Sequence, residues 1–185
     1  MKRLSLLIAM CLSTSGHLAQ AEEKSVPQDG HARVRFFGQA AISISFYPEK
    51  ACYGGKGVQT SRSGFGGLFG NKKNVSIGIP ETPDVRNLQD RDGVLSKAFY
   101  REYSVNADKP LTITAAMAQT TGRHTYSCDR IGVSFIPGNG KDYEVSFNYD
   151  DDTCQIDVAQ IETAEAVVRL QPVELSPAEK CSARD

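Results

Sequence analysis

Few residues in this sequence are of types and spacings that could do chemistry, and the first set is a run of oxygen ligands. Asn148, Asp150 and Asp152 alternate through a predicted turn, and alternating oxygen ligands are typical of calcium-binding loops. The EF-hand pattern also needs a central glycine and a closing glutamate, which this segment lacks. The alternative interpretation, which the sequence favours, is an acidic turn whose charges oppose pairing with other chains.

Two histidines, His31 and His124, follow residue 21. A Ser-His-Asp arrangement would need a marked nucleophile such as the G-x-S-x-G turn, and the sequence contains none. We interpret His124, in a Thr-Gly-Arg-His-Thr segment, as a loop residue rather than a metal ligand or general base, and His31 as solvated. The sequence therefore marks no catalytic residue, predicts no cofactor and favours a protein that is not an enzyme.

A glycine-rich segment over residues 54–73 combines apolar and basic side chains and predicts a long loop. A P-loop requires G-x-x-x-x-G-K-[ST], and Asn71 after Gly70 breaks that pattern. Large apolar groups in a loop cost free energy unless they pack, either on the domain itself or against a protein partner or lipid surface. We predict an interaction loop. Its candidate contact residues are Phe65, Leu68, Phe69, Arg62, Lys72 and Lys73.

Four cysteines follow residue 21, at positions 52, 128, 154 and 181. No C-x-x-C pair indicates a metal site, and an even set in an exported chain predicts disulfides. A predicted hairpin over residues 137–142 would bring Cys128 and Cys154 to the same end of one sheet. Of the three possible connectivities we therefore favour Cys128–Cys154 with Cys52–Cys181.

The first 21 residues have the pattern of a secretory signal peptide. Lys2 and Arg3 precede an apolar run, and Ala19-Gln20-Ala21 supplies a cleavage site before Glu22. The alternative is lipidation at Cys11, but Met10 stands where a lipoprotein motif needs a small residue. The sequence favours cleavage after residue 21 and a periplasmic or secreted protein.

Charge and length exclude several classes. The chain has 185 residues, 21 Lys+Arg and 22 Asp+Glu, for a formal charge of −1. Removal of residues 1–21 takes away Lys2 and Arg3, so the charge becomes −3. Neither value favours nucleic-acid binding. The sequence has no run of about 18 apolar residues, so we predict no membrane span in the chain that remains after cleavage. The length suits one domain over residues 22–185.

Alternating apolar residues predict about nine strands. One apolar face per strand is buried when two sheets pack together, so we predict an all-β antiparallel sandwich. At most one short helix is expected, within residues 84–97, with Thr82 or Asp84 as its cap and Pro83 near its start. A disulfide at Cys181 would fasten the tail, residues 176–185. The predicted strands lie around Val34–Phe36, Ile42–Phe46, Val75–Ile79, Phe99–Val105, Leu111–Met117, Ile131–Phe135, Tyr143–Tyr149, Ile156–Val158 and Val167–Leu170.

Several short segments together resemble a loose group of uncharacterised exported proteins of Gram-negative bacteria, some of them lipoproteins. The segments are Ala32–Phe36, Ser45–Pro48 followed by Cys52, Ser76–Pro80, Glu102–Val105, Lys109–Ile113, Phe135–Pro137 and Lys141–Val145 leading to Cys154. The resemblance implies a periplasmic or cell-envelope β-sandwich and brings no catalytic residue or cofactor.

These observations favour a non-enzymatic binding or structural protein of the cell envelope. One form of this function is an inhibitor or immunity protein that blocks an envelope-acting enzyme. The alternatives are an accessory protein of secretion or of the outer membrane, and a hydrolase whose site the sequence does not mark. A small disulfide-stapled sandwich presents its loops from a rigid frame, and function then resides in those loops.

Overall fold

The structure is a computed structural model that describes residues 28–39, 41–62, 73–92, 97–150, 153–165 and 167–182. A four-residue helix, α1 (Pro83–Arg86), and a 3₁₀ turn (Leu88–Arg91) lie between the third and fourth strands. The strands in chain order are β1 (His31–Gly38), β2 (Ile42–Pro48), β3 (Val58–Ser61), β4 (Phe99–Asn106), β5 (Leu111–Thr121), β6 (His124–Phe135), β7 (Asp142–Asp150), β8 (Thr153–Ala164), β9 (Val167–Pro172) and β10 (Ser176–Pro177).

The strands form two five-stranded sheets, which confirms the predicted all-β sandwich. One sheet has the order β4-β1-β7-β8-β9 and the other β10-β6-β5-β2-β3. All neighbouring strands pair antiparallel except β1 and β7, which are parallel. The predicted antiparallel arrangement therefore holds for the other pairs of strands and fails at this one. A parallel pair needs a long connection rather than a tight turn, and alternation within a strand does not specify its neighbour.

The two ends of the sandwich differ in their connections. The end that carries the β5–β6 and β7–β8 hairpins is called the hairpin end. β1 also ends there, at Gly38, because it runs parallel to β7, and β2 begins there because Ile42 pairs with Met117 of β5. At the opposite end, the β4–β5 and β6–β7 connections pass from one sheet to the other.

The core lies between the sheets and consists of alternate residues from both. Phe36 of β1 stacks on Phe46 of β2 with 5.1 Å between ring centroids, and Tyr103 packs edge-on against each of them. Ile113 and Val145 are fully buried in the same cluster. Each such side chain stabilises the fold by about 1.5–3 kcal/mol through burial.

The predicted hairpin over residues 137–142 is wrong. β6 pairs with β5 and β10, whereas β7 pairs with β1 and β8, so this segment carries the chain between sheets. A hairpin over these residues would pair Ile136 with Tyr143, but Ile136 follows the end of β6 and is 64% exposed, while Tyr143 is buried in the core. A turn does form, since Lys141 N–H donates to Gly138 O. A turn signal specifies a change of direction but not the sheet that the next strand joins.

Two further element predictions differ from the structure. Residues 75–79 are not a strand, because only Val75 forms a single bridge, to Arg101 of β4. Conversely, the predicted loop over residues 54–73 contains the edge strand β3. The short helix is confirmed in α1, and Thr82 is its cap.

The predicted disulfide Cys52–Cys181 is present and has 5.0 Å between its α-carbons. It fastens the C-terminal segment to the rest of the domain. Next to it, Ala178 N–H donates to Gly132 O of β6. Gly132 is needed there, because a β-carbon would lie 2.5 Å from the Ala178 carbonyl oxygen. In the part of the chain that the structure describes, no helix is long and apolar enough to cross a membrane.

Candidate functional site

An ion cluster lies on the outer face of the β4-β1-β7 sheet, and Arg35 is at its centre. Arg35 of β1 donates through Nε and Nη2 to Glu102 Oε1 of β4, at 3.0 and 2.8 Å. Both side chains are at most 1% exposed. Two hydrogen bonds to one carboxylate give this pair defined geometry as well as charge neutralisation.

The other oxygen of Glu102 holds the segment that precedes α1. Glu102 Oε2 accepts hydrogen bonds from Ser76 Oγ at 2.9 Å, Ile77 N at 2.6 Å and Ile79 N at 3.2 Å. Arg35 Nη2 donates to the backbone carbonyls of Ile79 and Pro80, both at 3.0 Å. Residues 76–80 are therefore tied to the sheet by both charged groups, which explains why they form no strand of their own.

Glu144 of β7 is the second carboxylate of the ion cluster. Its Oε2 lies 3.5 Å from Arg35 Nη1 and accepts a 2.8 Å hydrogen bond from Thr82 Oγ1. The pKa of Glu144 is raised from 4.5 to about 7. Burial is the largest cause and Asp84 adds to it, while the hydrogen bond from Thr82 and the charge of Arg35 act in the opposite direction. Protonation of Glu144 leaves one guanidinium facing one charged partner, Glu102.

The ion cluster positions residues 82–91, which end at Arg91 and form one wall of the cleft described below. Thr82 caps α1 through a hydrogen bond from Val85 N–H, and the 3₁₀ turn that follows ends at Arg91. The Arg91 guanidinium lies 4.8 Å from the centre of the Phe37 ring on the same sheet face. Gln39 Nε2 donates to the Arg91 backbone carbonyl. The wall is thus fixed at both ends, by buried charges and by the end of β1.

A cleft of about 310 Å³ opens at the hairpin end. This volume is at the lower end of the range of about 300–1,000 Å³ typical of ligand sites. Its apolar, mostly buried floor comprises Ile42, Ala98, Met117 and Phe147. Its polar rim comprises Gln39, Arg91, Gln119 and Asn148. Such an arrangement can bury an apolar group while amides and a cation fix the polar groups beside it.

The cleft exists because two neighbouring strands separate. β1 pairs with β7 only as far as Phe36 opposite Val145, whereas β7 continues to Asp150. The last residues of β1 then turn toward β2 in the other sheet. The space that they leave beside the distal part of β7 is the cleft, and β5 closes it from the other sheet through Met117 and Gln119.

The Cys128–Cys154 disulfide joins the two hairpins at this end. The two cysteines pair as predicted, but they do not lie on the same sheet as predicted. Cys128 lies on β6 and Cys154 on β8, which belong to different sheets. Cys128 pairs with Met117 across β5–β6, and Cys154 pairs with Tyr149 across β7–β8. The bridge therefore links the strands next to those that line the cleft.

The weak calcium candidates Asn148, Asp150 and Asp152 are placed only in part. Asn148 Nδ2 donates to Asp157 Oδ2, and Asp150 is exposed at the end of β7, opposite Thr153. Asp152 lies outside the described residues. Within the described ranges, no group of three or more His, Cys, Asp or Glu side chains is placed to hold a metal ion.

The two histidines and the predicted interaction loop are placed only in part. His124 is exposed at the hairpin end, at the start of β6, whereas His31 begins β1 at the opposite end. Arg62 follows β3 and donates to Gln59 Oε1 at 2.9 Å, and Lys73 is exposed. The remaining loop residues, Phe65, Leu68, Phe69 and Lys72, lie outside the described residues, so the interaction loop stays a prediction.

Sequence reasoning missed the ion cluster and the cleft. A signal for the ion cluster is present, because Arg33 and Arg35 alternate with apolar residues just as Asp142 and Glu144 do. Finding it requires the β1–β7 pairing, which brings these charges side by side. Scans of the chain against protein-family models and against curated proteins find no match.

Proposed function

We propose that this chain is a non-enzymatic binding protein of the bacterial cell envelope and that it binds its partner at the cleft. The observation that carries the proposal is the combination of an apolar floor and a polar rim in one opening at the hairpin end. Apolar pockets with a few convergent polar groups are the usual form of binding sites. The partner is a protein of the same compartment.

The compartment follows from the cysteines and from the start of the sequence. Two disulfides indicate an oxidising environment. Residues 1–21 have the pattern of a cleaved signal peptide, which supports export to the periplasm. The likeness to exported envelope proteins noted in the sequence supports the same location.

The ion cluster supports binding rather than catalysis at this face. Arg35, Glu102 and Glu144 are at most 4% exposed in their side chains, so a substrate does not reach them without unfolding the segment above. Their bonds go to Thr82 and to the backbone of residues 77–80. These charges therefore hold the wall of the cleft in place.

The test is capture by three oxidised forms of residues 22–185: the wild type, Gln119→Trp and Gln171→Trp. Gln119 is an exposed residue at the cleft, and Gln171 is an exposed glutamine on β9. Each form is immobilised and exposed to an envelope extract of the cells that produce the protein. We expect the wild type and Gln171→Trp to retain a common protein that Gln119→Trp does not retain.

Equal melting temperatures of the three forms establish that the tryptophans leave the fold intact. Equal retention by all three forms would place binding away from the cleft. Absence of any retained protein would contradict a protein partner.

A further inference from the structure

We infer that the cleft binds an extended peptide segment of the partner, which adds as a strand beside the distal part of β7 and inserts one apolar side chain. This inference rests on the proposed binding function and specifies its ligand. Strand addition supplies main-chain hydrogen bonds for affinity, and pockets for alternate side chains supply specificity. Both elements are present at the cleft.

The strand position is the gap beside β7. Over Ser146–Asn148, β7 is paired with β8 on one side, and none of the described strands pairs with this stretch on the other. A strand edge of this kind presents backbone donors and acceptors that another extended chain can pair with. The two hairpins and their disulfide keep this edge from closing against the opposite sheet.

The side-chain position is the floor of the cleft. Ile42, Met117 and Phe147 surround a space of about 310 Å³ from both sheets. Successive residues of an extended chain point to opposite sides, so a peptide paired with β7 directs every second side chain toward one face of the sheet. The space suits a single large apolar side chain rather than a longer apolar run.

The rim favours peptide amides over a purely apolar ligand. The side-chain NH₂ group of Gln39 donates to the Arg91 carbonyl, and that of Asn148 donates to Asp157. The side-chain carbonyl oxygens of Gln39 and Asn148 can therefore act as acceptors for a ligand. No described residue bonds to the Gln119 side chain. These groups match the N–H and C=O groups of a peptide.

Charge complementarity specifies the peptide further. Arg91 is the charged residue among those that line the cleft. Its contact with Asp84 is 3.6 Å long, and its side chain is 29% exposed. A guanidinium has five N–H donors, so Arg91 can bind a ligand carboxylate as well. We therefore expect an acidic residue near the inserted apolar residue.

The test uses a phage-displayed library of random linear dodecapeptides, panned on the oxidised wild-type protein. We expect enriched peptides with one aromatic or long aliphatic residue near an Asp or Glu. Synthetic copies should bind the wild type and Gln171→Trp alike and Gln119→Trp at least tenfold more weakly. Methylation of one backbone nitrogen that pairs with β7 should weaken binding about tenfold, whereas methylation of the adjacent nitrogen should not.

Each other outcome has a defined meaning. Enriched peptides that bind Gln119→Trp equally, or that tolerate methylation at every nitrogen, overturn strand addition at the cleft. If the library yields no binder but the envelope partner is still retained by the wild type and lost by Gln119→Trp, the peptide inference fails and the proposed function stands. If that partner is also retained by Gln119→Trp, the proposed function fails as well.

Discussion

Cys128 of β6 and Cys154 of β8 form a disulfide between strands of opposite sheets, with 6.2 Å between their α-carbons. Each cysteine pairs across its own hairpin with a cleft-lining residue, Met117 or Tyr149. The bridge therefore sets the separation of the two hairpins at the place where the sandwich opens. A staple here stabilises the fold and at the same time holds the proposed binding site in shape.

Removal of this bridge should lower both stability and binding. The double substitution Cys128→Ser with Cys154→Ser should reduce the free energy of unfolding by about 3–4 kcal/mol, on the chain-entropy estimate for a separation of 26 residues. Urea unfolding measures this loss. The matched control, Cys52→Ser with Cys181→Ser, should also destabilise the protein but leave cleft binding intact. Equal loss of binding in both variants would contradict a specific role of the hairpin bridge.

The sequence was sufficient for most of the strands but not for their neighbours. Val34 and Phe36 alternate with Arg33 and Arg35, and this period of two depends only on the chain itself. The parallel pairing of β1 with β7 depends on residues more than one hundred positions apart, and no local pattern encodes it. The hairpin prediction failed for the same reason. The contact of Arg35 with Glu144 and the cleft follow from that pairing, and the contact of Arg35 with Glu102 follows from the pairing of β1 with β4. Both sites therefore became visible only in the folded chain.

Arg35→Met should destabilise the protein strongly. The substitution leaves Glu102 and Glu144 buried without their cation, and removal of one partner of a buried ion pair costs about 3–5 kcal/mol. Chemical denaturation at pH 7 measures the effect. The control is Arg169→Met, since Arg169 is exposed on β9, and a change within about 0.5 kcal/mol is expected there. Similar stability of the two variants would show that the ion cluster does not hold the fold.

Stability should fall as pH rises through the range in which Glu144 ionises. Its folded pKa of about 7 exceeds the ordinary value of 4.5. The folded state therefore binds more protons between these values, and stability declines from pH 4.5 to pH 7. The contribution is up to about 3 kcal/mol. Glu144→Gln replaces the carboxyl group by an amide of nearly the same shape that stays uncharged at every pH. We expect the variant to lose this decline and to be the more stable form at pH 8. Parallel pH profiles of the two proteins would contradict the assignment.

Gly132→Ala should loosen the C-terminal segment. The new β-carbon would lie 2.5 Å from the Ala178 carbonyl oxygen and 3.0 Å from the Tyr53 ring, and such overpacking costs about 1–3 kcal/mol. A lower melting temperature and faster reduction of Cys52–Cys181 are the expected readouts. Gly54→Ala serves as the control for the melting temperature, because its nearest contact, Cys181 Cβ, would be at an ordinary 3.5 Å. Unchanged reduction kinetics in Gly132→Ala would show that the close approach to Ala178 does not secure the segment.

The central claim is that the partner binds at the cleft, and site-specific photo-cross-linking in the producing cells tests it most directly. A compact aliphatic diazirine amino acid, close to glutamine in size, replaces Gln119 at the cleft in one strain and Gln171 on β9 in another, and both strains are irradiated intact. We expect a covalent adduct of one defined mass with the probe at 119 and none with the probe at 171. An adduct from 171 alone, or the same adduct from both positions, would contradict binding at the cleft.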